Sequence, residues 1–400
     1  MRVILSTFGP LHLIKGSTYI SKYVDLTIIQ GWLPDKKSGW FVNVLSKIVH
    51  RDLKKSFQKR ISPDAQRNIG IAIPEFYLWL GKLFPKLGLT NTKAAEMYGR
   101  TSRKYLHDAD VFHVRAGNGQ GGAIETARKN GLKIVVDQSI AHNAFIEKQL
   151  KQDYERHGLF WGFGPTSPFW EAVLDDCGKA DMLLVNSDFV KQTFVDEGYD
   201  EDKITVAYLG VRDDFYRLKN DYNINQKVKL LFTGGFGFRK GGLYLLQALR
   251  ILEKEGFDCE LYIVGSYQDE REILQKYDSP NIKYVGFVPQ DELKQYLVTC
   301  DIYIFPSLAE GCASSGMEAL CAGMPVITTV ESGLPVRHLE TGYVIPSRNV
   351  DAIVRAVKDV SQSKELREKI GSAAANMIKE EYTWEKYAEL VVECYKKVLM

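Results

Sequence analysis

The chain has 400 residues, of which 45% are hydrophobic and 26% charged, and its formal net charge is +2. This is ordinary soluble composition, enough for about two or three domains with a large buried core. No run approaches the roughly 18 apolar residues that a membrane-crossing helix needs, and MRVILSTFG reads as a strand rather than a signal peptide, so a cytoplasmic location is expected.

The six cysteines, Cys177, Cys259, Cys300, Cys312, Cys321 and Cys394, are scattered and form no C-x-x-C pair. They read as reduced, mostly buried thiols rather than a disulfide framework or zinc site. The small net charge hides an asymmetry: residues 36–104 carry 15 Lys and Arg against 4 Asp and Glu. Such a stretch suits nucleic acid, an anionic membrane or an acidic substrate, and a solvated helical face accounts for it equally well.

In chain order, RVILS opens as a buried strand, and FGPLHLIKGS reads as a loop carrying Gly9 and Gly16. From about Trp40 to Leu106 the pattern is mostly helical: FVNVLSKIVHRDLKKSF, PEFYLWLGKLFPKLG and TKAAEMYGRTSRKYL. In the second of these, Phe76, Trp79, Leu80, Leu83, Phe84 and Leu87 recur at helical spacing, with Lys82 and Lys86 off the stripe.

A strand, VFHVR, then meets the glycine cluster AGNGQGG, a helix, AIETARKNG, and a strand, KIVVD. Gly117, Gly119 and Gly122 spell G-x-G-x-x-G, and Asp137 lies 20 residues beyond Gly117, the spacing of a dinucleotide fingerprint and so of an NAD-dependent oxidoreductase. The short helix and the position outside the first βα unit weigh against that reading; a tight turn near an acceptor cleft fits better. A D-x-D at Asp108 to Asp110 could serve a metal-dependent transferase. It precedes a strand, where aspartates commonly begin turns, and no metal is expected.

His142 follows in DQSIAHNAF, where a lone histidine is more often structural than functional. After IEKQLKQDYERHG comes an aromatic, Gly- and Pro-rich segment, FWGFGPTSPFW, then strand, Asn-Ser turn, helix and strand through ADMLLVNSDFVKQTFVDEGYDEDKITVAYLGV. KVKLLFTGGF starts a second α/β unit, whose loop holds Gly234, Gly235, Arg239 and Lys240. Strands near CELYIVG, IKYVGFV, DIYIFP, PVITT and GYVIP alternate with helices, the pattern of a doubly wound parallel sheet.

Within this unit, Glu310 to Glu318 (EGCASSGME) runs from an apolar strand through a Gly- and Ser-containing turn into a helix. Backbone amides and a positive helix end gather there at the carboxyl edge of a sheet, which makes a phosphate site. The two flanking carboxylates suit sugar hydroxyls, which donate to an ionised carboxylate.

This segment resembles the E-x7-E signature of glycosyltransferase family four, retaining enzymes of the GT-B fold that move a sugar from a nucleotide-sugar. Glu310, Gly311, Glu318, Ala319, Gly323 and Pro325 match, while Cys312, Ala313, Ser314 and Ser315 replace the usual FGLP. The resemblance implies an α/β protein with two Rossmann-like doubly wound domains facing a cleft, and a helical insertion in the first. Residues 1–212 would bind the acceptor and 213–383 the nucleotide-sugar, with a last helix, 384–400, packing back on the first domain.

It further implies that Glu310 binds the donor sugar, Glu318 the ribose, and His142 a sugar hydroxyl or the leaving phosphate. Lys240 would reach the diphosphate. Gly235 stands where the family usually has arginine, so Arg239 is expected to supply that charge from the other end of the loop. Gly234, Gly235, Gly311, Ser314 and Ser315 would line the phosphates, and the strand end at Val288 would read the base. The implied partners are a nucleoside-diphosphate sugar and a glycan or lipid-linked acceptor, without nucleic acid, metal or other cofactor; the basic stretch and its apolar stripe suit the inner face of an anionic membrane, and packing of that stripe onto the N-terminal sheet is the alternative. A sugar-nucleotide epimerase or hydrolase, and a catalytically silent subunit, are the alternatives on the same architecture.

Overall fold

The computed structural model describes residues 1–9, 12–33, 60–164, 166–267 and 270–400. The first domain is built on β1 (Arg2–Thr7), α1 (His12–Ile20), β2 (Asp25–Gln30), β3 (Arg67–Gly70), α2 (Ile73–Leu83), α3 (Asn91–Ser102), β4 (Val111–Arg115), α4 (Ala123–Lys129), β5 (Lys133–Gln138), α5 (Asn143–Arg156), α6 (Pro168–Gly178), β6 (Met182–Val185), α7 (Asp188–Val195) and β7 (Ile204–Val206). The second holds β8 (Val228–Thr233), α8 (Gly242–Lys254), β9 (Cys259–Val264), α9 (Arg271–Leu274), β10 (Ile282–Gly286), α10 (Gln290–Thr299), β11 (Ile302–Phe305), α11 (Ser314–Cys321), β12 (Val326–Thr328), β13 (Tyr343–Val344), α12 (Val350–Gln362) and α13 (Lys364–Glu381). A last helix, α14 (Trp384–Leu399), follows.

Each domain has one sheet, with strand orders β3-β2-β1-β4-β5-β6-β7 and β10-β9-β8-β11-β12-β13, and the pairings within both are parallel. Strands such as MLLV and IYIF are buried along their whole length, as a parallel sheet covered on both faces requires. In each sheet the strand order reverses once, between β1 and β4 and between β8 and β11. Loops leaving the carboxyl ends of those strands diverge and open a crevice there. Two doubly wound α/β domains are thus present, as the sequence pattern predicts.

The last helix returns to the first domain. Tyr395 hydroxyl and His113 Nδ1 meet at 2.6 Å, Trp384 stacks on Tyr19, and the Tyr387 ring lies where a Cβ on Gly16 would go. Thr383 caps α14 by accepting from the Lys386 amide. Fully buried side chains such as Val391 contribute roughly 1.5–3 kcal/mol each to this docking.

Two expectations change, and two readings disfavoured in the sequence find no support. FGPLHLIKGS is largely helix rather than loop, because Leu13, Ile14, Ser17 and Ile20 fall on one buried face of α1. Strand β3 interrupts the stretch expected to be helical; it forms by pairing residue for residue with β2, from Thr27 opposite Arg67 to Gln30 opposite Gly70. The glycine cluster is filled by protein: the Gly119 amide donates to Asp176 at 2.7 Å, and a Cβ on Gly121 would overlap the Glu96 carbonyl of α3. A dinucleotide pyrophosphate has no access to that amide. The D-x-D motif lies at the amino end of β4, where Asp110 accepts from the Arg2 amide at 2.7 Å, remote from the carboxyl edge. The helix expected over FVNVLSKIVHRDLKKSF, with the basic residues 36–59, lies outside the described residues. All six cysteines are free and buried.

Candidate functional site

Strands β8 and β11 are neighbours at the reversal point of the second sheet, so the loops that follow them, 234–241 and 306–313, are pressed together. The Leu308 amide and the Ser307 hydroxyl both donate to the Arg239 carbonyl, at 2.8 and 3.1 Å. Gly241, at φ 76°, abuts the Pro306 carbonyl so closely that any side chain would overlap it. This clamp sets Arg239 and Lys240 over the second loop. Arg239 Nη1 lies 2.7 Å and Lys240 Nζ 3.5 Å from Glu310 Oε1.

The Glu310 oxygen is buried and, despite its two cations, has no well-aligned hydrogen bond. Its ion pairing is one of proximity, and Arg239 Nη1 spends its aligned bond on the Ala309 carbonyl at 2.9 Å. Lys240 also sits over the Phe305 ring, and Gly234, at φ 112°, leaves just enough room for its ammonium. Gly235 stands in this loop with no charge of its own.

Helix α11 begins at the end of the second loop. Its N-cap, Ala313, offers no side-chain acceptor, and its first turn holds no acid. The first-turn amides therefore have no acceptor within the helix, and the positive end of the dipole is uncompensated. Ser315 does not fill the gap: its hydroxyl is turned to the sheet, where it donates to the Thr233 carbonyl at 3.3 Å and receives the Tyr303 hydroxyl at 3.1 Å. Ser314 is exposed. An anion is the natural occupant of such an end.

Glu318, the fifth residue of α11, faces a cleft of about 210 Å³ shared with His12, Lys15, Arg212 and Ser314. Burial pushes its carboxyl up to about 7, against the opposing pull of Lys15 and Arg212. Behind it, Asp137 accepts from Arg115 at 2.8 Å and meets His12 Nε2 at 3.2 Å. Burial would raise that carboxyl, but His12 and Arg115 hold it well below the usual range.

The first domain touches the motif directly. The Ser187 hydroxyl donates to the Gly311 carbonyl at 2.5 Å, and the Ala141 amide to the Glu310 carbonyl at 3.3 Å. A side chain on Gly311 would overlap the Ser139 carbonyl, so glycine is needed for the domains to meet.

The structure thus brings together Glu310, Arg239, Lys240, Gly234, Gly311, Ser314 and Ser315. His142 directly follows Ala141, whose amide meets Glu310, but its own side chain is engaged within the first domain. It is the N-cap of α5, its Nδ1 accepts from the Ala144 amide at 3.3 Å, and its ring lies edge-on to Phe194 and Tyr199. Burial lowers its pKa, so it is neutral near pH 7. Val288 lies half-buried beyond the end of β10, and the Gly286 carbonyl is taken by the Gly265 amide.

Lys15, Arg212 and His12 were not singled out in the sequence. The one signal for His12 and Lys15 is their place in the amphipathic pattern HLIKGSTYI, and Arg212 has none. Among the described residues, no three of His, Cys, Asp or Glu gather as metal ligands.

Two Rossmann-like domains meeting across a crevice, with an uncapped helix end and a basic loop at its edge, define the GT-B architecture. Residues 214–377, most of the second domain, match the family model for glycosyl transferases group 1. The chain is similar to the amylovoran biosynthesis glycosyltransferase AmsK of Erwinia amylovora, 27% identical over 64% of this chain and 62% of that one. It is also similar to the capsular polysaccharide biosynthesis glycosyltransferase CapM of Staphylococcus aureus, 24% identical over 52% and 60%. The chain therefore spans about three-fifths of the length of these curated relatives.

Among solved structures, a glycosyltransferase from Rickettsia africae superposes with a TM-score of 0.64 at 17% identity, over 100% of this chain and 98% of that one. Anabaena HepE in complex with UDP and glucose superposes with a TM-score of 0.63 at 15% identity, over 98% of each chain. At these identities the superpositions speak to the fold.

Proposed function

We propose that the protein transfers a sugar, with retention of configuration, from a nucleoside-diphosphate sugar to a glycan, glycolipid or lipid-linked acceptor in polysaccharide biosynthesis. The observation that carries this is the meeting of Arg239 and Lys240 with Glu310 beside the uncapped start of α11. When the bond from sugar to phosphate breaks, negative charge grows on the diphosphate. Fixed amides, a helix end and two cations are worth most at that moment, and they supply the positive charge a metal would otherwise bring.

In this reading the diphosphate lies along Gly234, Gly235, Gly311 and the first turn of α11, drawing Arg239 and Lys240 from Glu310. Glu310 then accepts from donor-sugar hydroxyls and Glu318 from the ribose, while the backbone near Val288 meets the base. His142 contributes by holding the loop from Ser139 to Ala141 against the motif. The HepE complex makes a uridine diphosphate sugar the first donor to test. The domains divide near residues 212 and 383, with α14 belonging to the first.

Incubation with UDP-, GDP- and ADP-sugars, with and without acceptor extract, tests the reading. Acceptor-dependent nucleotide release is expected. Acceptor-independent conversion would instead indicate an epimerase or hydrolase, and binding without turnover a silent subunit.

A membrane-associated acceptor has its own support. The stripe on α2 and the turn after it leaves Leu83, Phe84 and Leu87 at 52%, 56% and 58% exposure, beside Lys82 and Lys86. Among the described residues, no helix is long and apolar enough to cross a membrane. Peripheral attachment through α2 is the form the proposal takes.

A further inference from the structure

Beside the Arg239–Glu310 pair, a cavity of about 1000 Å³ opens between the two domains. Helix α5 supplies Ile146, Leu150 and Tyr154; the aromatic segment before α6 supplies Trp161; the second domain supplies Arg239 and Glu270. The Tyr154 hydroxyl donates to the Glu270 carboxylate, closing the wall between the domains. Tyr154 and Trp161 pack edge to face, with ring centres 5.2 Å apart.

Three polar atoms on residues lining this one cavity are buried yet have no hydrogen-bond partner among the described residues: Trp161 Nε1, Ser167 Oγ and Glu270 Oε2. Glu270 is only 2% exposed. Buried polar groups are nearly always paired, so three orphans around a single space ask for an occupant that pairs them. An N–H, a hydroxyl and a carboxylate oxygen beside aromatic rings match a molecule with an apolar face and a hydroxylated edge. An alkyl chain would leave all three unpaired, and a phosphate would be repelled by Glu270.

We propose that this cavity is the subsite for the acceptor's terminal sugar ring. The ring's C–H face lies on the aromatic wall, one hydroxyl donates to Glu270 Oε2, another receives the Trp161 N–H, and a third pairs with the Ser167 hydroxyl. Arg239 connects the subsite to the donor loops, so a sugar held here lies next to the reacting end of the donor. This rests on the transferase reading and narrows it, making the acceptor a saccharide at its reacting end whatever carries it.

The test is a saturation-transfer NMR titration of the full chain with the methyl glycosides of glucose, galactose, mannose and N-acetylglucosamine. At least one should bind. Its affinity should fall about tenfold in both Trp161→Phe, which keeps the ring and removes the N–H, and Glu270→Gln, which removes the charge. The thermal shift produced by UDP, GDP or ADP is read on the same samples. It should be equal in wild type and both variants, which shows that they are folded and separates a failure of this subsite from a failure of nucleotide binding. Absence of binding by all four glycosides, affinity unchanged in both variants, or binding of 1-octanol in their place would overturn the proposal.

Discussion

Glu318 carries a cost that pH exposes. Its carboxyl titrates near 7 in the folded chain, against an ordinary 4.5, because burial penalises its charged form. Below about pH 4.5 it is protonated in both folded and unfolded chains, and burial exacts no charge penalty. Between 4.5 and 7 the unfolded chain releases its proton first, so stability falls; above 7 the loss is complete. Glu318→Gln should therefore stabilise the ligand-free protein at pH 8 by about 1–3 kcal/mol and change it little at pH 4.5. Urea unfolding at the two pH values checks this, and an equal effect at both would contradict it. At this scale the sequence was legible where chemistry gathers at the carboxyl ends of neighbouring strands: Glu310, Glu318, Arg239 and Lys240 all fall at the crevice. It was not legible where charges meet by domain contact, as Lys15 and Arg212 do around Glu318. His142 was found but not its surroundings, since no spacing announces an edge-on contact with Phe194.

The helix α2 shows how far periodicity carries. The apolar stripe is real, but the sequence does not say which half of it is covered: Phe76 packs on Trp32, while Leu80, Leu83, Phe84 and Leu87 face outward. If that outward half rests on a bilayer, the full chain should co-sediment with anionic vesicles, less with neutral ones, and less as salt rises. Lys82 and Lys86 would contribute about 1 kcal/mol each near the surface. A double change, Leu83→Ser with Phe84→Ser, should lower the bound fraction severalfold; equal binding by the variant, or none by wild type, would contradict peripheral attachment. Strands followed the same logic. The long apolar runs of the second domain announced themselves, whereas RNIG has one apolar residue and becomes β3 only because β2 offers an edge.

For the whole molecule, two domains in βα alternation were readable from the pattern, their facing a cleft came from the family resemblance, and the contacts that tie them together were not legible. The chain crosses between domains twice, and the crossings are strapped together: the Val211 amide donates to the Tyr382 carbonyl at 3.2 Å, and a side chain on Gly210 would overlap Trp384. On the far side of the crevice, Arg348 of the second domain pairs with Asp153 at 2.9 Å and donates to the Gln149 carbonyl at 2.8 Å. Between these ties lie both the Glu310 cluster and the aromatic cavity, which is why the aromatic segment FWGFGPTSPFW had no visible role in the sequence alone.

The most direct test of this arrangement is an equilibrium titration of wild type, Arg239→Ala and Lys240→Ala with UDP, GDP and ADP and with the matching nucleosides. At least one diphosphate should bind wild type. Each substitution should weaken that diphosphate by about ten- to a hundredfold, the worth of one charge-assisted hydrogen bond, and leave the nucleoside unchanged. Diphosphate affinity unaltered in both variants, or no binding of any nucleotide to folded wild-type protein, would contradict a donor site at the meeting of these two loops.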